Sequence, residues 1–342
     1  MRESTPSGAA AMVVVPCLNE RAHVGRVVET ILEDPDWIDP LVVVVDGGSV
    51  DGTVELVERI AARDRRVRLV HNPRRLQSAA VNLAAALFGT DRGWLVRVDA
   101  HAEYPPGFVT TLIGEARGAG ADSVVVSMRA KGRSCFQRAV AQAQNSWLGA
   151  GGAAHRRPGK AGFVEHGHHA LFDMARFCSL GGYDESFTHN EDAEFDARLR
   201  RGGGRIWLTR AVQIGYFPRE RPRALLAQYF RYGRGRARTL WLHRQRPAPR
   251  QLAPALVAPA LALLAAAPAW PAAAAPAAAW AIVCCGMGLA LALARRSRCA
   301  LLCGPAAMIM HAGWSFGFWT ETATSWRARP AAAAPQPLAY RR

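Results

Sequence analysis

The sequence predicts an α/β fold with a mostly parallel sheet, followed by a C-terminal helical membrane segment. Short β-branched runs alternate with helical patterns in the N-terminal part, and such alternation is typical of a parallel sheet covered on both faces by helices. Further along the chain, long stretches contain no charged residue. We therefore expect a globular part that is followed by a membrane part.

The predicted strands are short, apolar and regularly spaced: Met12–Val15, Leu41–Val45, Val67–Val70, Trp94–Val98 and Ser123–Ser127. Helical patterns lie between them: Arg21–Glu33, Val54–Arg63, Ser78–Phe88 and Pro106–Arg117. Ligands of such sheets bind beyond the carboxyl ends of the strands, so we expect functional residues there. A Gly-x-Gly-x-x-Gly motif does not follow the first strand and a P-loop motif is absent from the sequence, which disfavours a dinucleotide oxidoreductase and a P-loop hydrolase.

Composition and charge exclude two classes of protein. Half of the 342 residues are apolar, which excludes a disordered chain, and seven cysteines are too few for a small disulfide scaffold. The formal net charge of +16 is unevenly distributed, since residues 217–250 contain ten arginines and one acid. Because no secretory signal is evident, we expect Cys17, Cys135 and Cys178 to be reduced thiols in the cytosol.

Three segments after residue 250 could cross a bilayer, whose core of about 30 Å needs roughly 20 apolar residues in a helix. They are Leu252–Trp270, Ala277–Ala294 and Cys299–Thr320. A Pro/Ala-rich disordered linker is the alternative for each, and one of them could instead be re-entrant. The basic residues 217–250 predict an interfacial helix on the cytoplasmic side of the membrane. Single-stranded nucleic acid could bind the same mixture of arginine and aromatic residues, but contiguity with the apolar segments favours lipid as the partner, not nucleic acid.

The first motif is the acid that closes the second predicted strand. Asp46 is followed by Gly47-Gly48-Ser49 and then by Asp51-Gly52-Thr53. A carboxylate in this position can accept a hydrogen bond from a base or a ribose, and the glycines let a ligand approach the backbone. The alternative is an ordinary strand-to-helix turn in which Asp51 or Ser49 caps the helix.

The second motif is Asp99-Ala100-His101, directly after the fourth predicted strand. Residues two apart at a strand end face the same way, so Asp99 and His101 could share one cation. A carboxylate and an imidazole suit Mn²⁺ or Mg²⁺ held mainly by phosphate oxygens. The alternative is a surface aspartate and histidine without a ligand.

The third motif, Asn190-Glu191-Asp192, begins a helical pattern. Acids are favourable at the positive end of a helix dipole, which is the alternative to a catalytic role. As a functional site, one of the two acids would be a general base. Neighbouring helical residues point about 100° apart, so only one of Glu191 and Asp192 should face a substrate. The dipole would lower the pKa of that acid, so it would act more by position than by basicity.

Together the three motifs resemble inverting glycosyltransferases of family 2, which have the GT-A fold, over about Met12 to Leu242. Gln228-Tyr229-Phe230-Arg231-Tyr232 is similar to the Gln-x-x-Arg-Trp element of that family, with Tyr232 in place of Trp. Three longer strings look closest to the glucosyltransferases of succinoglycan-type exopolysaccharide assembly: Val98–Pro105, His189–Arg198 and Gln228–Arg238.

The resemblance implies roles for individual residues. The donor nucleotide would be held by Pro16, Asn19, Glu20 and Asp46, with Asp46 facing the uracil. Asp99 would ligate the Mn²⁺ or Mg²⁺ on the donor diphosphate, His101 would be its second ligand, and Arg231 would add a cation. Asp192 would deprotonate the acceptor hydroxyl. The acceptor side would include Glu191, His166, His168, His169, Tyr183 and Gln228.

Two residues depart from the family pattern. His101 replaces the usual second acid, so metal affinity should fall at acid pH as the imidazole protonates. Gly47 replaces a common second aspartate, so a ribose contact is expected to be lost.

The segment Glu165-His166-Gly167-His168-His169 is open to three interpretations. It could contact the acceptor, it could be a loop without a functional role, or it could bind zinc, although the sequence has no second group of ligands at a recognised spacing. Residues 149–162 indicate either a mobile basic loop near the acceptor or a disordered surface loop.

The charge and hydropathy patterns, together with the resemblance, imply the domain plan and the activity. Residues 1–216 would be a GT-A catalytic domain with a mostly parallel sheet flanked by helices, 217–250 a basic interfacial helical segment, 251–320 two to three transmembrane helices, and 321–342 a basic flexible tail. The enzyme would sit in the bacterial inner membrane, facing the cytoplasm, and would move a hexose, with glucose favoured, from a UDP-sugar to a polyprenyl-diphosphate-linked oligosaccharide. The alternatives are a processive polysaccharide synthase and a non-enzymatic, membrane-tethered protein that binds an anionic polymer.

Overall fold

The computed structural model describes residues 10–151, 159, 161–328 and 338. These residues belong to two compact units. The first contains the described residues of Met1–Met128, Arg157–Gly215 and Ala333–Arg342, and the second those of Arg129–Arg156 and Tyr216–Ala332. The expected catalytic domain of residues 1–216 is thus interrupted, because residues 129–156 pack with the C-terminal helices.

The strands, in chain order, are β1 (Ala11–Cys17), β2 (Leu41–Asp46), β3 (Val67–His71), β4 (Trp94–Arg97), β5 (Ala102–Glu103), β6 (Ser123–Ala130), β7 (Gly162–Phe163), β8 (His168–Asp173) and β9 (Ile206–Tyr216). The helices are α1 (Val24–Leu32), α2 (Thr53–Arg63), α3 (Gln77–Phe88), α4 (Phe108–Ala119), α5 (Cys135–Gln144), α6 (Trp147–Ala150), α7 (Met174–Ser179), α8 (Glu191–Arg201), α9 (Pro222–Leu242), α10 (Pro249–Ala255), α11 (Val257–Leu263), α12 (Ala275–Arg295) and α13 (Cys303–Ala328).

The first unit is built on a nine-stranded sheet with the order β3-β2-β1-β4-β8-β6-β9-β5, and β7 pairs with β9. Strand β1 is parallel to both β2 and β4, and β2 is parallel to β3. Strands β2 and β3 therefore lie on one side of β1, and β4 lies on the other side. Open α/β sheets bind ligands where the strand order reverses in this way. The predicted mostly parallel sheet is confirmed.

Strand β8 is the main departure from parallel pairing. It runs antiparallel to β4 on one side and to β6 on the other, with Val96 opposite Leu171 and Val126 opposite His168. Because β8 is antiparallel, its first residue, His168, lies at the sheet edge where β4 ends. The histidine segment of residues 165–169, for which the sequence left three interpretations open, thus lies beside the predicted Asp99 motif.

The core of the first unit is the sheet itself. Val13, Val42 and Val44 are fully buried, as are Val28 of α1 and Leu112 of α4. The central strands have apolar residues on both faces because helices cover both sides. This burial fixes the strands, so the loops after their carboxyl ends start from rigid positions.

The second unit is helical and contains three segments long and apolar enough to cross a membrane: Pro249–Ala266, Pro271–Arg295 and Arg298–Ser325. The first is broken into α10, α11 and a short 3-10 turn, and Pro254 lies inside α10. The predicted helical membrane segment is therefore confirmed as candidate spans. The third extends the helix to Ala328, so residues 321–328 are helical, where we had expected a flexible tail.

Glycines allow α9 and α13 to pack with their backbones close together. A Cβ at Gly317 would overlap the carbonyl of Phe230, and a Cβ at Gly233 would overlap the carbonyl of Trp314. Gly313 and Gly317 form the small-xxx-small pattern that brings membrane helices into contact. Arg234 of α9 also pairs with Glu321 of α13 at 2.8 Å. The basic stretch is therefore a packed member of the helical unit.

The expectation of reduced thiols is wrong for Cys135. Cys135, at the start of α5, forms a disulfide with Cys299, whose Cα lies 5.2 Å away. The two residues are 164 positions apart, so their spacing in the sequence could not reveal the pairing. Cys17 and Cys178 are free and buried, as expected.

Candidate active site

Two loops at the carboxyl ends of β1 and β2 are tied together. The backbone N–H of Asn19 donates to the Ser49 hydroxyl at 2.7 Å, and the Asn19 side-chain oxygen accepts from the Val50 N–H at 2.9 Å. The Glu20 N–H donates to the Thr53 hydroxyl at 2.9 Å. Asn19 adopts a left-handed backbone conformation, with φ of 57°. The predicted nucleotide-binding residues of β1 and β2 thus lie on one cross-linked pair of loops, with Pro16 inside β1.

Asp46 is buried and shapes its own turn. Its carboxylate accepts from the N–H groups of Gly48 at 2.7 Å and Ser49 at 2.9 Å, and from the Ser49 hydroxyl. Gly48 has a φ of 86°, a conformation that favours glycine. Asp51 accepts from the Thr53 hydroxyl at 2.5 Å, which lowers the pKa of the Asp51 carboxyl. A strand-to-helix turn is thus present, but α2 begins after Gly52 without a side-chain cap from Asp51 or Ser49, and a role toward a nucleotide stays a prediction.

Asp99 follows β4 and meets one group from α3 and one from β4 itself. Its Oδ1 accepts from the Gln77 side chain at 3.0 Å and lies 3.7 Å from the Arg97 guanidinium. The His101 Nδ1 lies 3.0 Å from a carboxylate oxygen of Glu20. Two carboxylates and one imidazole are the donor types that Mn²⁺ and Mg²⁺ accept. Among the described residues, however, the group of three ligand atoms that converge is His166, His168 and Asp192, so ligation of a cation by Asp99 and His101 stays a prediction.

Arg97 connects β4 with the start of α8. Its guanidinium lies 3.2 Å from a Glu191 carboxylate oxygen and 5.8 Å from the centre of the Tyr183 ring. Burial raises the pKa of Glu191, and the positive charge of Arg97 opposes this shift. Burial also raises the pKa of the Tyr183 hydroxyl. Glu191 and Tyr183 are both buried, so they line the interior of the site, and contact with an acceptor stays a prediction for them.

Asp192 points to a different neighbour from Glu191, as the angle between adjacent helical residues requires. Its Oδ2 lies 2.5 Å from Nδ1 of His168, and its Oδ1 accepts from the Ala193 N–H at 2.7 Å. Burial raises the pKa of Asp192, but His168, His166 and Arg97 outweigh it and hold that pKa well below its usual range. The carboxyl is therefore an anion throughout the neutral range.

A second histidine–aspartate pair lies beside the first. His166 Nδ1 is 2.6 Å from Asp196 Oδ2, and the two imidazole rings of His166 and His168 have centres 5.0 Å apart. Burial and the negative charge of Asp192 raise the pKa of Asp196 well above its usual value. Asp196 lies outside the three sequence motifs. Its pairing with His166 was missed because nothing in the local sequence signals it.

The zinc interpretation of the histidine segment can be examined directly. Ligand atoms of His166, His168 and Asp192 lie within 4.8 Å of one another. A zinc ion between an imidazole nitrogen and a carboxylate oxygen would hold them more than about 3 Å apart, given bonds of about 2.0–2.2 Å to each. The observed distances of 2.5 and 2.6 Å are those of charge-assisted hydrogen bonds. The contacts at the two Nδ1 atoms are thus hydrogen bonds, and a metal ion held by the group of His166, His168 and Asp192 stays a prediction.

The other predicted residues lie elsewhere. Gln228 and Arg231 are on α9 in the second unit, where the Gln228 side-chain amide donates to the Tyr232 hydroxyl at 3.1 Å and Arg231 is exposed. His169 belongs to β8, and its side chain lies outside the described part. Most of the predicted loop 149–162 also lies outside the described residues. The roles of these residues remain predictions.

Comparison with known proteins decides the family. The Glycosyl transferase family 2 profile matches residues 12–177. The succinoglycan biosynthesis protein ExoA of Rhizobium meliloti is 46% identical over 315 residues, which are 92% of this chain and 96% of that protein. The chain belongs to glycosyltransferase family 2. The similarity of this family 2 glycosyltransferase to ExoA includes the C-terminal helical segments as well as the sheet.

Two further similarities are more distant. A polyprenol monophosphomannose synthase of Mycolicibacterium smegmatis is 32% identical over 119 residues, 34% of this glycosyltransferase and 44% of that protein. The mannosyltransferase PcManGT of Pyrobaculum calidifontis, solved with GDP-Man and Mn²⁺, has a TM-score of 0.58 at 21% identity, covering 91% of this chain and 89% of its own. The GT-A fold expected from the resemblance is confirmed.

Proposed function

We propose that this glycosyltransferase is an inverting, divalent-metal-dependent hexosyltransferase of exopolysaccharide biosynthesis, anchored in the bacterial inner membrane. It would move a hexose, with glucose as the favoured sugar, from a UDP-sugar to a polyprenyl-diphosphate-linked oligosaccharide. The observation that carries this proposal is the identity of 46% to the succinoglycan biosynthesis protein ExoA across nearly the whole of both chains.

The donor would bind at the cross-linked loops after β1 and β2. Pro16, Asn19 and Glu20 would hold the nucleotide, and Asp46, buried at the end of β2, would keep the loop shape that faces the uracil. A rigid loop loses little conformational entropy when a ligand binds, which favours affinity. The Mn²⁺ bound in the complex of PcManGT supports a divalent cation in this fold.

Asp99 and His101 would hold this cation at the end of β4, and Arg231 would add positive charge toward the same diphosphate. When bound, a divalent cation offsets negative charge on a departing diphosphate. In this chain the immediate surroundings of Asp99 are the Gln77 amide and the Arg97 guanidinium. These two groups would orient the carboxylate without neutralising it fully, since the Arg97–Asp99 distance of 3.7 Å is longer than a hydrogen bond.

Inversion requires one displacement in which the acceptor hydroxyl attacks the anomeric carbon from the face opposite the leaving diphosphate. The hydroxyl must lose its proton during this attack. Asp192 is the anionic carboxylate proposed for this step, at the start of α8. Acceptor-side contacts are proposed for Glu191, Tyr183, His166, His168, His169 and Gln228.

The site would face the cytoplasm, with α10–α13 anchoring the enzyme in the bilayer and the arginines of 217–250 on the cytoplasmic side. Anionic lipid attracts such basic residues. A lipid-linked acceptor would then remain in the membrane while its sugar end reaches the catalytic unit.

The test is transfer of labelled sugar. Membranes that contain the full chain are incubated with Mn²⁺, a panel of labelled UDP-sugars and lipid-linked acceptors, and the lipid fraction is analysed. We expect one sugar to be added to the lipid-linked glycan. A ladder of long products would instead support the processive synthase, and absence of both transfer and donor hydrolysis would support the binding protein.

A further inference from the structure

The third apolar segment, Arg298–Ser325, is covered by protein to a greater degree than the other two. Of its most apolar stretch 44% is buried within the protein, against 11% for Pro249–Ala266 and 17% for Pro271–Arg295. A helix that crosses a bilayer needs apolar surroundings over about 30 Å. The helices that cover α13 therefore decide whether this segment can cross.

Helices α5 and α6 lie along the first half of α13. Cys135 at the start of α5 is bonded to Cys299, shortly before α13 begins. Leu148 of α6 lies against His311, with 2.9 Å between the Leu148 carbonyl oxygen and Nε2. Helix α5 contains three glutamines and Arg138, which is exposed. The first half of α13 thus has a polar helix as its neighbour.

Helix α9 lies along the second half of α13 and runs in the same direction. A Cβ at Gly313 would lie 2.7 Å from the carbonyl oxygen of Leu226, and one at Gly317 would overlap the carbonyl of Phe230. A step of four residues along α9 thus corresponds to a step of four along α13. Farther along, the side chain of Arg234 is 51% exposed, although it forms an ion pair with α13.

Helix α12 lies beside the first half of α13 and runs in the opposite direction. The Trp280 Nε1–H donates to Nδ1 of His311 at 3.2 Å, and a Cβ at Gly288 would lie 2.8 Å from the backbone nitrogen of Gly304. Residue numbers thus rise along α12 as they fall along α13. Because α9 and α12 both follow α13, the three helices share one axis direction to within the angles at which packed helices cross.

This common direction disfavours an upright α12. If α12 stood across the bilayer, α9 would stand upright as well, and its exposed Arg231 and Arg234 would enter the hydrocarbon core or pass through it. An arginine at that depth is among the most costly side chains to insert. An orientation with α9, α12 and α13 along the membrane plane avoids this cost.

The first apolar segment leaves α13 and returns to it over a short distance. The Ala258 N–H donates to the Ser315 hydroxyl at 2.9 Å, and Trp280 contacts His311, one turn away on α13. Only 22 positions separate Ala258 from Trp280. Divided into two helical legs, they reach about 17 Å from α13, which is about half of a 30 Å core. Trp270, between the two legs, is 61% exposed.

Large apolar side chains are exposed on the part of the helical unit that a lipid surface would meet. Many of them lie on α10–α12, among them Leu256, Leu263, Ile282, Leu289 and Leu293. The sequence has no Asp, Glu, Lys or Arg from Gln251 to Ala294. The α10–α12 part of the unit is therefore apolar, whereas α5 and α9 expose arginines, and this is the composition of an interfacial anchor.

We propose that the helical unit is a one-sided membrane anchor, in which α10–α12 enter the cytoplasmic leaflet and return, α13 is the protein-covered core, and all three apolar segments stay on one side of the bilayer. This inference rests on the proposed membrane anchoring of the enzyme. It places the basic residues 217–250, the arginines of 295–298 and the four arginines of 321–342 on the cytoplasmic side, as the positive-inside rule favours. Three crossings would put the last group outside.

The experiment uses the full chain in bacterial cells whose outer membrane is made permeable, and a maleimide that cannot cross the inner membrane. Trp270→Cys marks the turn before α12, Ser297→Cys the turn after it, and Arg342→Cys the C-terminus. The wild type gives the background from its own cysteines, of which Cys285 is exposed, and a periplasmic protein with a free cysteine is the positive control. We expect none of the three variants to be labelled above background from outside. After lysis, Ser297→Cys and Arg342→Cys should react, and their failure to react would contradict a cytoplasmic position.

Labelling of Trp270→Cys or Ser297→Cys from outside would overturn the proposal, because a segment would then cross the bilayer. Labelling of Arg342→Cys from outside would overturn it as well, since the number of crossings would be odd. If Trp270→Cys does not accumulate, Ala269→Cys replaces it at the neighbouring exposed position. Sedimentation separates this inference from the proposed function. A wild-type chain that stays in the supernatant when membranes are pelleted refutes membrane anchoring itself, whereas a chain that pellets and is labelled from outside refutes only the one-sided arrangement.

Discussion

Arg97 and Glu191 form a buried ion pair, with 3.2 Å between Nη1 and Oε1 and side chains that are 10% and 8% exposed. The pair joins the end of β4, where Asp99 follows, to the first turn of α8, where Asp192 lies. A change at one end of this connection therefore affects both the proposed metal ligand Asp99 and the proposed general base Asp192. Its members are 94 residues apart in sequence.

Replacing Arg97 by methionine should destabilise the first unit by about 3–5 kcal/mol, because Glu191 would remain as a buried charge without its partner. Thermal unfolding of the purified protein in detergent, followed by tryptophan fluorescence, measures this. The double variant Arg97→Met/Glu191→Met is the control and should recover much of the loss. An Arg97→Met protein as stable as wild type would contradict the buried pair.

Asp99→Ala should abolish Mn²⁺-dependent binding of the UDP-sugar, because the carboxylate at the end of β4 is removed while the loops after β1 and β2 remain. Calorimetry with and without Mn²⁺ separates metal-dependent from metal-independent affinity. His101→Asp is the companion variant and should retain metal-dependent binding, since it restores an oxygen ligand. Equal affinity of Asp99→Ala and wild type in Mn²⁺ would refute the ligand role.

Asp192 should contribute to stability in a pH-dependent way. Its pKa in the folded protein is lowered, so the folded state binds fewer protons than the unfolded state between the two pKa values. The contribution is thus present above the ordinary carboxyl pKa of about 3.9 and is lost as the pH falls through the lowered value. Asp192→Asn should be less stable than wild type at pH 6, and the difference should shrink in acid. Melting temperatures over this range test the sign, and a constant difference would contradict it.

Close packing of α9 and α13 predicts a position-specific effect of side-chain size. Gly317→Leu would force Phe230 and the helix backbone apart and should cost about 1–3 kcal/mol or more. Gly286→Leu is the matched control, because a Cβ at Gly286 has nothing within 4 Å. Melting temperature and protease sensitivity in detergent compare the two. If both variants unfold alike, the glycine contact between α9 and α13 is unimportant.

Local patterns predicted the strands β1, β2, β3, β4 and β6 and the three apolar segments, because short β-branched runs and long uncharged stretches can be recognised from neighbouring residues alone. The contacts that organise the site join distant residues, and no periodicity encodes them. His168 and Asp192 are 24 residues apart, and His166 and Asp196 are 30 apart. Strand β8 was not predicted, because His168 and His169 interrupt the apolar pattern on which the other strands were predicted.

The bond between Cys135 and Cys299 has a practical consequence for anyone who cuts or shortens this enzyme. A single proteolytic nick between the two cysteines leaves the fragments joined, so a gel run without reductant would display a cleaved molecule as intact. A chain shortened before Cys299 would carry an orphan thiol at the start of α5, open to dimerisation by oxidation. Soluble fragments intended for biochemistry should therefore carry serine in place of Cys135.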